Sequence, residues 1–181
     1  MEIQLQPLFV ILLCFGFNQV FTQSLETGPV IVGYGAVWKV ENPGFRTATS
    51  GEFKVVFDIM DSPESHDSVN KSIETAARFL NMHAQSGVSG EQMKVALVVH
   101  NRATRDILSN EAYRAHFGKA NPNSELIKEL LESGVEVILC GQSAASRNFP
   151  VSESINGVQL ALSAMTALVQ LQDKGYRLIK F

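Results

Sequence analysis

The chain has 181 residues, of which 45% are hydrophobic and 18% are charged, and its formal net charge is −3. A disordered chain would carry fewer aliphatic side chains and more charge, and a disulfide-stabilised scaffold would contain more than these two cysteines. Nucleic-acid-binding proteins are usually basic, so the composition predicts no nucleic-acid partner and favours one globular domain that is large enough to bury a core.

An uninterrupted apolar run occupies residues 8–17 and is too short to cross a bilayer. Such a run is typical of a signal peptide, although the residues before it contain Glu2 and no lysine or arginine. We predict a signal peptide over residues 1–23, cleaved near 22–24, and a periplasmic or secreted protein with no stable membrane association after cleavage. The alternatives are an uncleaved membrane anchor and a buried N-terminal segment.

Cleavage at this place would leave Cys140 as the only cysteine, because Cys14 lies within the apolar run. No disulfide could then form within the mature chain. An unpaired thiol is unusual in an oxidising compartment. Cys140 is therefore buried and inert, paired between chains, or reactive for a purpose.

Residues 24–51 are rich in glycine, proline, threonine and serine, and we predict an irregular N-terminal arm with one short edge strand at Val30-Ile31-Val32. Gly33-Tyr34-Gly35 resembles the start of a dinucleotide-binding loop. However, Trp38 occupies the position of the third glycine and no helical pattern follows, which argues against a nucleotide site.

Apolar runs and helical patterns alternate from residue 52 to residue 181. The runs predict strands at 53–60, 93–100, 135–140, 158–162 and 176–180. Helical spacing predicts one helix with its apolar face between residues 69 and 80, one opened by Asn121-Pro122 with Asn121 as its cap, and one across residues 165–172. Residues 101–120 are polar and weakly helical. This alternation predicts an α/β domain of layered architecture with a mostly parallel sheet over residues 52–181.

Metal chemistry has little support in the sequence. The four histidines are scattered, and Cys140 is the one thiol available, so we predict no metal site. Asp58 and Asp61 lie at the end of the first strand and could bind a cation or act as a base. Capping of the following helix is the favoured interpretation of both.

Cys140 ends a predicted strand, and ligands of parallel sheets bind at this edge. The small polar residues that follow can present backbone N–H groups, which stabilise a thiolate, and Arg147 could add positive charge. A small buried apolar role for Cys140 is the alternative. His100 ends the preceding strand and could form a thiolate–imidazolium pair with Cys140, or it could be a hydrogen-bonded structural residue.

Several strings resemble the DsrE/DsrF-like sulfur-relay family. They are Ala120-Asn121-Pro122-Asn123, Gly134-Val135-Glu136-Val137, Cys140-Gly141-Gln142-Ser143, Ala96-Leu97-Val98-Val99-His100 and Ser163-Ala164-Met165-Thr166-Ala167-Leu168-Val169. The resemblance covers residues 52–181. It implies a flavodoxin-like three-layer sandwich, a homotrimer or homohexamer, and a cysteine that carries sulfur as a persulfide.

Transferred to this chain, the resemblance implies that Cys140 accepts sulfur and that His100 is its acid–base partner. Gly141 would allow close backbone approach, while Gln142 and Ser143 would donate hydrogen bonds to the terminal sulfur. No cofactor is implied, and the partners would be small sulfur species or a sulfur-donor or sulfur-acceptor protein.

Two features depart from the family pattern. The residues after His100 are Asn101-Arg102-Ala103, where relatives have a small turn that contains glycine. The signal peptide and arm resemble those of an exported branch of the family. An exported protein does not meet the cytoplasmic tRNA-thiolation relay, which argues against a role in that relay.

The sequence leaves two other functions open. The first is a non-catalytic oligomeric binding module in which Cys140 is structural. The second is a thiol–disulfide oxidoreductase, which the absence of a Cys-x-x-Cys pair disfavours.

Overall fold

The computed structural model describes residues 24–180, so the predicted signal peptide lies outside the described residues. Strands β1 (Leu25–Glu26) and β2 (Val37–Trp38) form a small antiparallel pair in the arm. The main sheet contains β3 (Phe53–Ile59), β4 (Met93–Val99), β5 (Glu136–Cys140), β6 (Gln159–Ala161) and β7 (Arg177–Ile179). Its order is β6-β5-β4-β3-β7, and every neighbouring pair is parallel. Each of the five predicted main strands is present, with ends within one residue of those expected.

The helices are α1 (Lys71–Gln85), α2 (Asn110–Phe117), α3 (Ser124–Glu132), α4 (Gly141–Arg147) and α5 (Ala164–Asp173). Short 3-10 segments cover Gly90–Gln92, Asn101–Ile107 and Val151–Glu153. The region predicted to be polar and weakly helical, residues 101–120, thus contains one 3-10 segment and α2.

Helices cover both faces of the sheet, which confirms the predicted α/β three-layer class. Phe57, Leu97 and Val137 project from β3, β4 and β5 into one core, which also contains the buried side chains of α1 and α3. The intervening strand residues face the other way and pack against α5. This alternation follows from the two-residue period of a strand, and it explains why the runs are apolar throughout.

No helix within residues 24–180 is long and apolar enough to span a membrane.

The caps of two helices differ from the prediction. Asn70, and not Asp58 or Asp61, caps α1, because its side-chain oxygen accepts from the N–H groups of Ser72 and Ile73. The helix predicted to open at Asn121-Pro122 begins two residues later, at Ser124, with Asn123 in the cap position. The Asn121 side chain is buried and donates to the carbonyls of Asp106 and Leu108 at 2.8 and 2.7 Å. A long-range loop contact therefore replaces the local cap at Asn121.

The arm is bound to α1 by one buried side chain. Asn81 is fully buried, and its amide oxygen accepts from the N–H of Ile31 at 2.9 Å while its amide nitrogen donates to the Ile31 carbonyl at 2.9 Å. The predicted edge strand at Val30-Ile31-Val32 is wrong, because these residues form a bend whose polar groups bond to Asn81.

Close packing also accounts for Gly35, part of the sequence that resembles a dinucleotide loop. Gly35 has φ +63°, and a Cβ atom there would lie 2.3 Å from the backbone nitrogen of Arg78. Glycine allows the arm to contact the backbone of α1 at this point.

Candidate functional site

The carboxyl edge of the main sheet brings together side chains from three strands. Val99 of β4 pairs with Leu139 of β5, so His100 and Cys140 are the next residues of these adjacent strands. Side chains alternate along a strand, and Cys140 faces the α5 layer. His100 keeps an extended backbone (φ −149°, ψ 179°), and its imidazole bonds to Asp58 from β3. The predicted approach of His100 and Cys140 to the same edge is therefore present in the structure.

Cys140 is a free cysteine with 4% of its surface exposed. Burial raises the pKa of its thiol, but hydrogen bonds from the Ser143 hydroxyl and from the N–H groups of Ser143, Ala164 and Gln142 outweigh burial and lower this pKa below its ordinary value. These donors meet at the sulfur because α4 begins directly after Cys140 and α5 begins at Ala164. The pocket around the sulfur therefore favours a thiolate.

Gly141 lets α4 begin against the neighbouring strand. A Cβ atom at Gly141 would lie 2.7 Å from the carbonyl oxygen of Ala161 and 3.1 Å from that of Leu162. The side-chain amide of Gln142 donates to the Leu162 carbonyl at 3.3 Å, so Gln142 contributes its backbone N–H to the sulfur. The close backbone approach predicted at Gly141 is therefore made by the end of β6, whose carbonyls lie against the first residue of α4.

Asn101 orients the hydroxyl of Ser143, a role that the sequence did not reveal. The N–H of Asn101 donates to Ser143 Oγ at 2.9 Å, so that the hydroxyl proton is free to point at Cys140. Asn101 adopts φ +51°, a left-handed conformation that asparagine tolerates better than most residues, and its side chain accepts a hydrogen bond from Arg147. Arg147 therefore bonds to the side chain of Asn101. The sequence suggested that Arg147 could add positive charge at the sulfur, but the structure shows its guanidinium at Asn101 instead.

Asp58 holds the imidazole of His100 at 2.7 Å from its Oδ1 and the Lys180 ammonium at 2.8 Å from its Oδ2. Burial raises the pKa of Asp58, but hydrogen bonds from Lys180 and His100 outweigh it and lower this pKa. Asp58 therefore fixes the orientation of His100 instead of capping α1. Within residues 24–180 no hydrogen bond joins His100 to Cys140, so the thiolate–imidazolium pair stays a prediction.

The other histidines lie in separate environments. His66 contacts Arg105, His83 bonds to the Phe79 carbonyl, and His116 bonds to Glu153. Among residues 24–180 no group of three or more histidine, cysteine, aspartate or glutamate side chains could hold a metal ion.

We expect Ser143→Ala to raise the pKa of the Cys140 thiol, because the variant loses one charge-assisted donor and keeps the backbone N–H groups. The ultraviolet absorbance of the thiolate, followed as a function of pH, measures this change without any reagent having to reach the buried sulfur. Ser146→Ala is the matched control, since Ser146 Oγ donates to the Ser143 carbonyl and not to the thiol. An unchanged pKa in Ser143→Ala would show that its hydroxyl does not stabilise the thiolate.

The comparisons with known proteins agree with this architecture. Residues 54–181 match the model of the DsrE/DsrF-like family. A protein of unknown function, MTH1491 from Methanobacterium thermoautotrophicum, is similar at 18% identity with a TM-score of 0.54, covering 72% of this chain and 100% of that one. The ychN protein from E. coli is also 18% identical with a TM-score of 0.54, covering 71% of this chain and 98% of its own. At this identity the two structures show the fold alone, and no curated protein matches the chain significantly. Because the family model spans more than half of its length, the chain belongs to the DsrE/DsrF-like family.

Proposed function

We propose that the protein is an exported sulfur-relay protein that carries sulfane sulfur as a persulfide on Cys140. The observation that carries the proposal is the set of donors around the thiol, which lowers its pKa at the carboxyl edge of the sheet. The family suggests a sulfur-relay role, and a thiolate is the nucleophile that such a role needs. The donor set stabilises a thiolate through the chain's own hydroxyl and N–H groups.

The proposed loading step is a displacement at sulfur. The Cys140 thiolate attacks the sulfane sulfur of a persulfide R–S–SH and forms a sulfur–sulfur bond from Sγ to it. The sulfur–sulfur bond between RS and the sulfane sulfur breaks, and RS⁻ leaves with that bond's electron pair. With thiosulfate as donor, sulfite is the leaving group. An acceptor thiolate then attacks the terminal sulfur and regenerates the Cys140 thiolate, so the cycle needs no oxidant or reductant.

The neighbouring residues have distinct proposed roles. Gly141 keeps α4 close to β6, and the N–H groups of Gln142 and Ser143 together with the Ser143 hydroxyl bind the negative charge on sulfur. His100, oriented by Asp58, would donate a proton to the leaving thiolate and accept one in the transfer step.

Intact-mass measurement after incubation with polysulfide or thiosulfate tests the persulfide. We expect the wild type to gain sulfur atoms that dithiothreitol removes, and Cys140→Ser to gain none, because serine supplies no thiolate. Ser146→Ala keeps the thiol and is expected to load like the wild type. Absence of loading on the wild type, or equal loading of Cys140→Ser, would refute the proposal.

One observation favours the alternative, a non-catalytic oligomeric binding module with a structural cysteine. Cys140 is only 4% exposed, whereas a relay thiol must meet its donor. The rate of alkylation by iodoacetamide separates the two functions. A rate far below that of a free thiol at the same pH, in a protein that also fails to load sulfur, would support the binding module.

We also propose a homotrimer or homohexamer. Large apolar side chains next to the site are exposed on β6, on α5 and between them, namely Leu160, Leu162, Met165 and Val169 at 55, 73, 76 and 57%. A cluster of large exposed apolar side chains within one short stretch of chain is typical of an interface. Sedimentation equilibrium tests this proposal, and a measured mass equal to that of one chain would overturn it.

Cleavage of the proposed signal peptide near residues 22–24 is tested by N-terminal sequencing of the protein produced in an exporting host.

A further inference from the structure

A concave region lies between the arm and the C-terminal half of α1, and none of its lining residues belongs to the candidate site around Cys140. Its volume is about 760 Å³, and it is lined by residues 37–40, 42–44, 46 and 47 of the arm and by Met82, Gln85 and Ser86 of α1. Small-molecule sites usually have volumes of about 300–1,000 Å³. The cavity therefore has the size of a ligand site, and the persulfide chemistry of Cys140 makes no use of it.

The apolar part of the lining is exposed to an unusual degree. Trp38 is 56% exposed, Val40 is 71% exposed and Met82 is 44% exposed. An exposed aromatic ring beside exposed aliphatic and thioether groups forms an apolar surface in contact with water. Covering this surface with an apolar ligand body would be favourable.

The charged part of the lining is entirely basic. Lys39 and Arg46 line the cavity, and no acidic residue does. Lys39 has one exposed ion pair, with Glu41 at 3.5 Å, which contributes little. Arg46 has no ion pair or hydrogen-bond partner among residues 24–180. A guanidinium without a partner is suited to bind a carboxylate or another oxyanion.

The helix end at the cavity is hydrogen-bonded. The carbonyls of Met82, His83 and Ala84 accept from the N–H groups of Ser86, Gly87 and Val88, which reduces the partial negative charge that this end of α1 presents to the cavity. The side-chain amide of Gln85 is also bonded, to the carbonyl of Gly28 at 2.7 Å. Lys39 and Arg46 therefore dominate the charge of the cavity.

We propose that this cavity binds an amphipathic organic anion, with its apolar body against Trp38 and Met82 and its anionic group on Arg46 and Lys39. Apolar surface, the weakly paired Lys39 and an Arg46 that is unpaired within the described part of the chain line one cavity of suitable volume, and such a ligand complements all three. The site is independent of the relay role of Cys140.

Trp38 is the single tryptophan of the chain and lines the cavity, so its fluorescence reports on binding directly. Decanoate serves as the probe, below its micelle concentration. We expect a saturable change in the Trp38 emission with decanoate and a much weaker response to decyltrimethylammonium, which has the same chain and the opposite charge. Arg46→Gln is expected to raise the dissociation constant for decanoate about fivefold, as removal of an exposed charge contact worth about 1 kcal/mol would do.

Arg114→Gln is the matched control, because Arg114 is exposed on α2 and does not line the cavity. Its affinity for decanoate should equal that of the wild type. The proposal would be overturned by the absence of saturation, by equal binding of the two probes, or by equal affinities of Arg46→Gln and Arg114→Gln. A response to anionic phospholipid vesicles without one to decanoate would assign the surface to a membrane and would also overturn it.

Discussion

Replacing Asn81 by leucine is expected to release the N-terminal arm from α1. The Asn81 side chain makes five hydrogen bonds to the arm backbone, at 2.9–3.3 Å, to the N–H groups of Val30 and Ile31 and to the carbonyls of Ile31, Tyr34 and Gly35. Leucine has a similar volume and offers no partner to any of them. Because each buried polar group left unpaired costs about 1–3 kcal/mol, we expect a loss of about 3–5 kcal/mol in the free energy of unfolding of the arm-bound state.

Urea unfolding and limited proteolysis measure this release. In the variant we expect cleavage within residues 24–51 under conditions where the wild-type arm is protected, together with a shift in the emission of Trp38. Gln85→Leu is the matched control, since this side chain on the same helix makes one hydrogen bond to the arm, to Gly28. Its expected cost is about 1 kcal/mol. Equal protection of the arm in Asn81→Leu and wild type would contradict the role assigned to Asn81.

The arm also forms most of the lining of the cavity proposed to bind anions. Asn81 therefore supports that cavity indirectly, although it is not part of the lining. Decanoate binding should be lost in Asn81→Leu together with arm protection, and retained in Gln85→Leu at reduced affinity at most, since Gln85 does line the cavity.

The layered fold could be predicted because its signals are local. Apolar runs of strand length between helical patterns predicted the five main strands. The errors arose where long-range contacts override local preference. Asn121 followed by proline is a typical helix start, yet its amide serves the carbonyls of Asp106 and Leu108, and Val30-Ile31-Val32 has strand composition but bonds to a helix side chain.

The candidate site could be predicted in part for the same reason. Parallel strands end at one edge, so the positions of Cys140 and His100 followed from the strand boundaries alone. The residues that orient them come from distant parts of the chain. Asn101 bonds to Ser143 across 42 positions, and Lys180 bonds to Asp58 across 122, so no spacing in the sequence indicates either contact.

Asp106 is a further residue whose role was not apparent from the sequence. It lies in the 3-10 segment Asn101–Ile107, which directly follows His100, and only 2% of its surface is exposed. Its carboxylate accepts from Ser62 Oγ at 2.8 Å and from Asn70 Nδ2 at 2.7 Å, and Arg105 Nε lies 3.7 Å away. The carboxylate thereby joins the loops that follow β3 and β4, which are the loops that support the sheet edge.

Burial raises the pKa of Asp106 from its ordinary value of 3.8 to about 6, against the opposing effect of the hydrogen bonds from Asn70 and Ser62 and the charge of Arg105. Between these two values the folded state binds more protons than the unfolded state, so the stability from this group is complete below pH 3.8 and falls as the pH rises through about 6. A pKa shift of this size changes the free energy of unfolding by about 3 kcal/mol in total. Above the folded-state pKa, Asp106 causes no further change in that free energy.

Asp106→Asn is therefore expected to unfold with a different pH dependence from the wild type. The amide carries no charge, so the free energy of unfolding of the variant minus that of the wild type should rise by about 2.4 kcal/mol between pH 4 and pH 7, whatever constant offset the altered hydrogen bonds add. Urea unfolding at intervals across this range gives the difference, from which the other titrating groups cancel. Asp173→Asn is the control, because Asp173 is exposed at the end of α5, and its difference should vary by less than about 0.5 kcal/mol. A flat difference for Asp106→Asn would mean that the buried carboxyl titrates alike in the folded and unfolded chains.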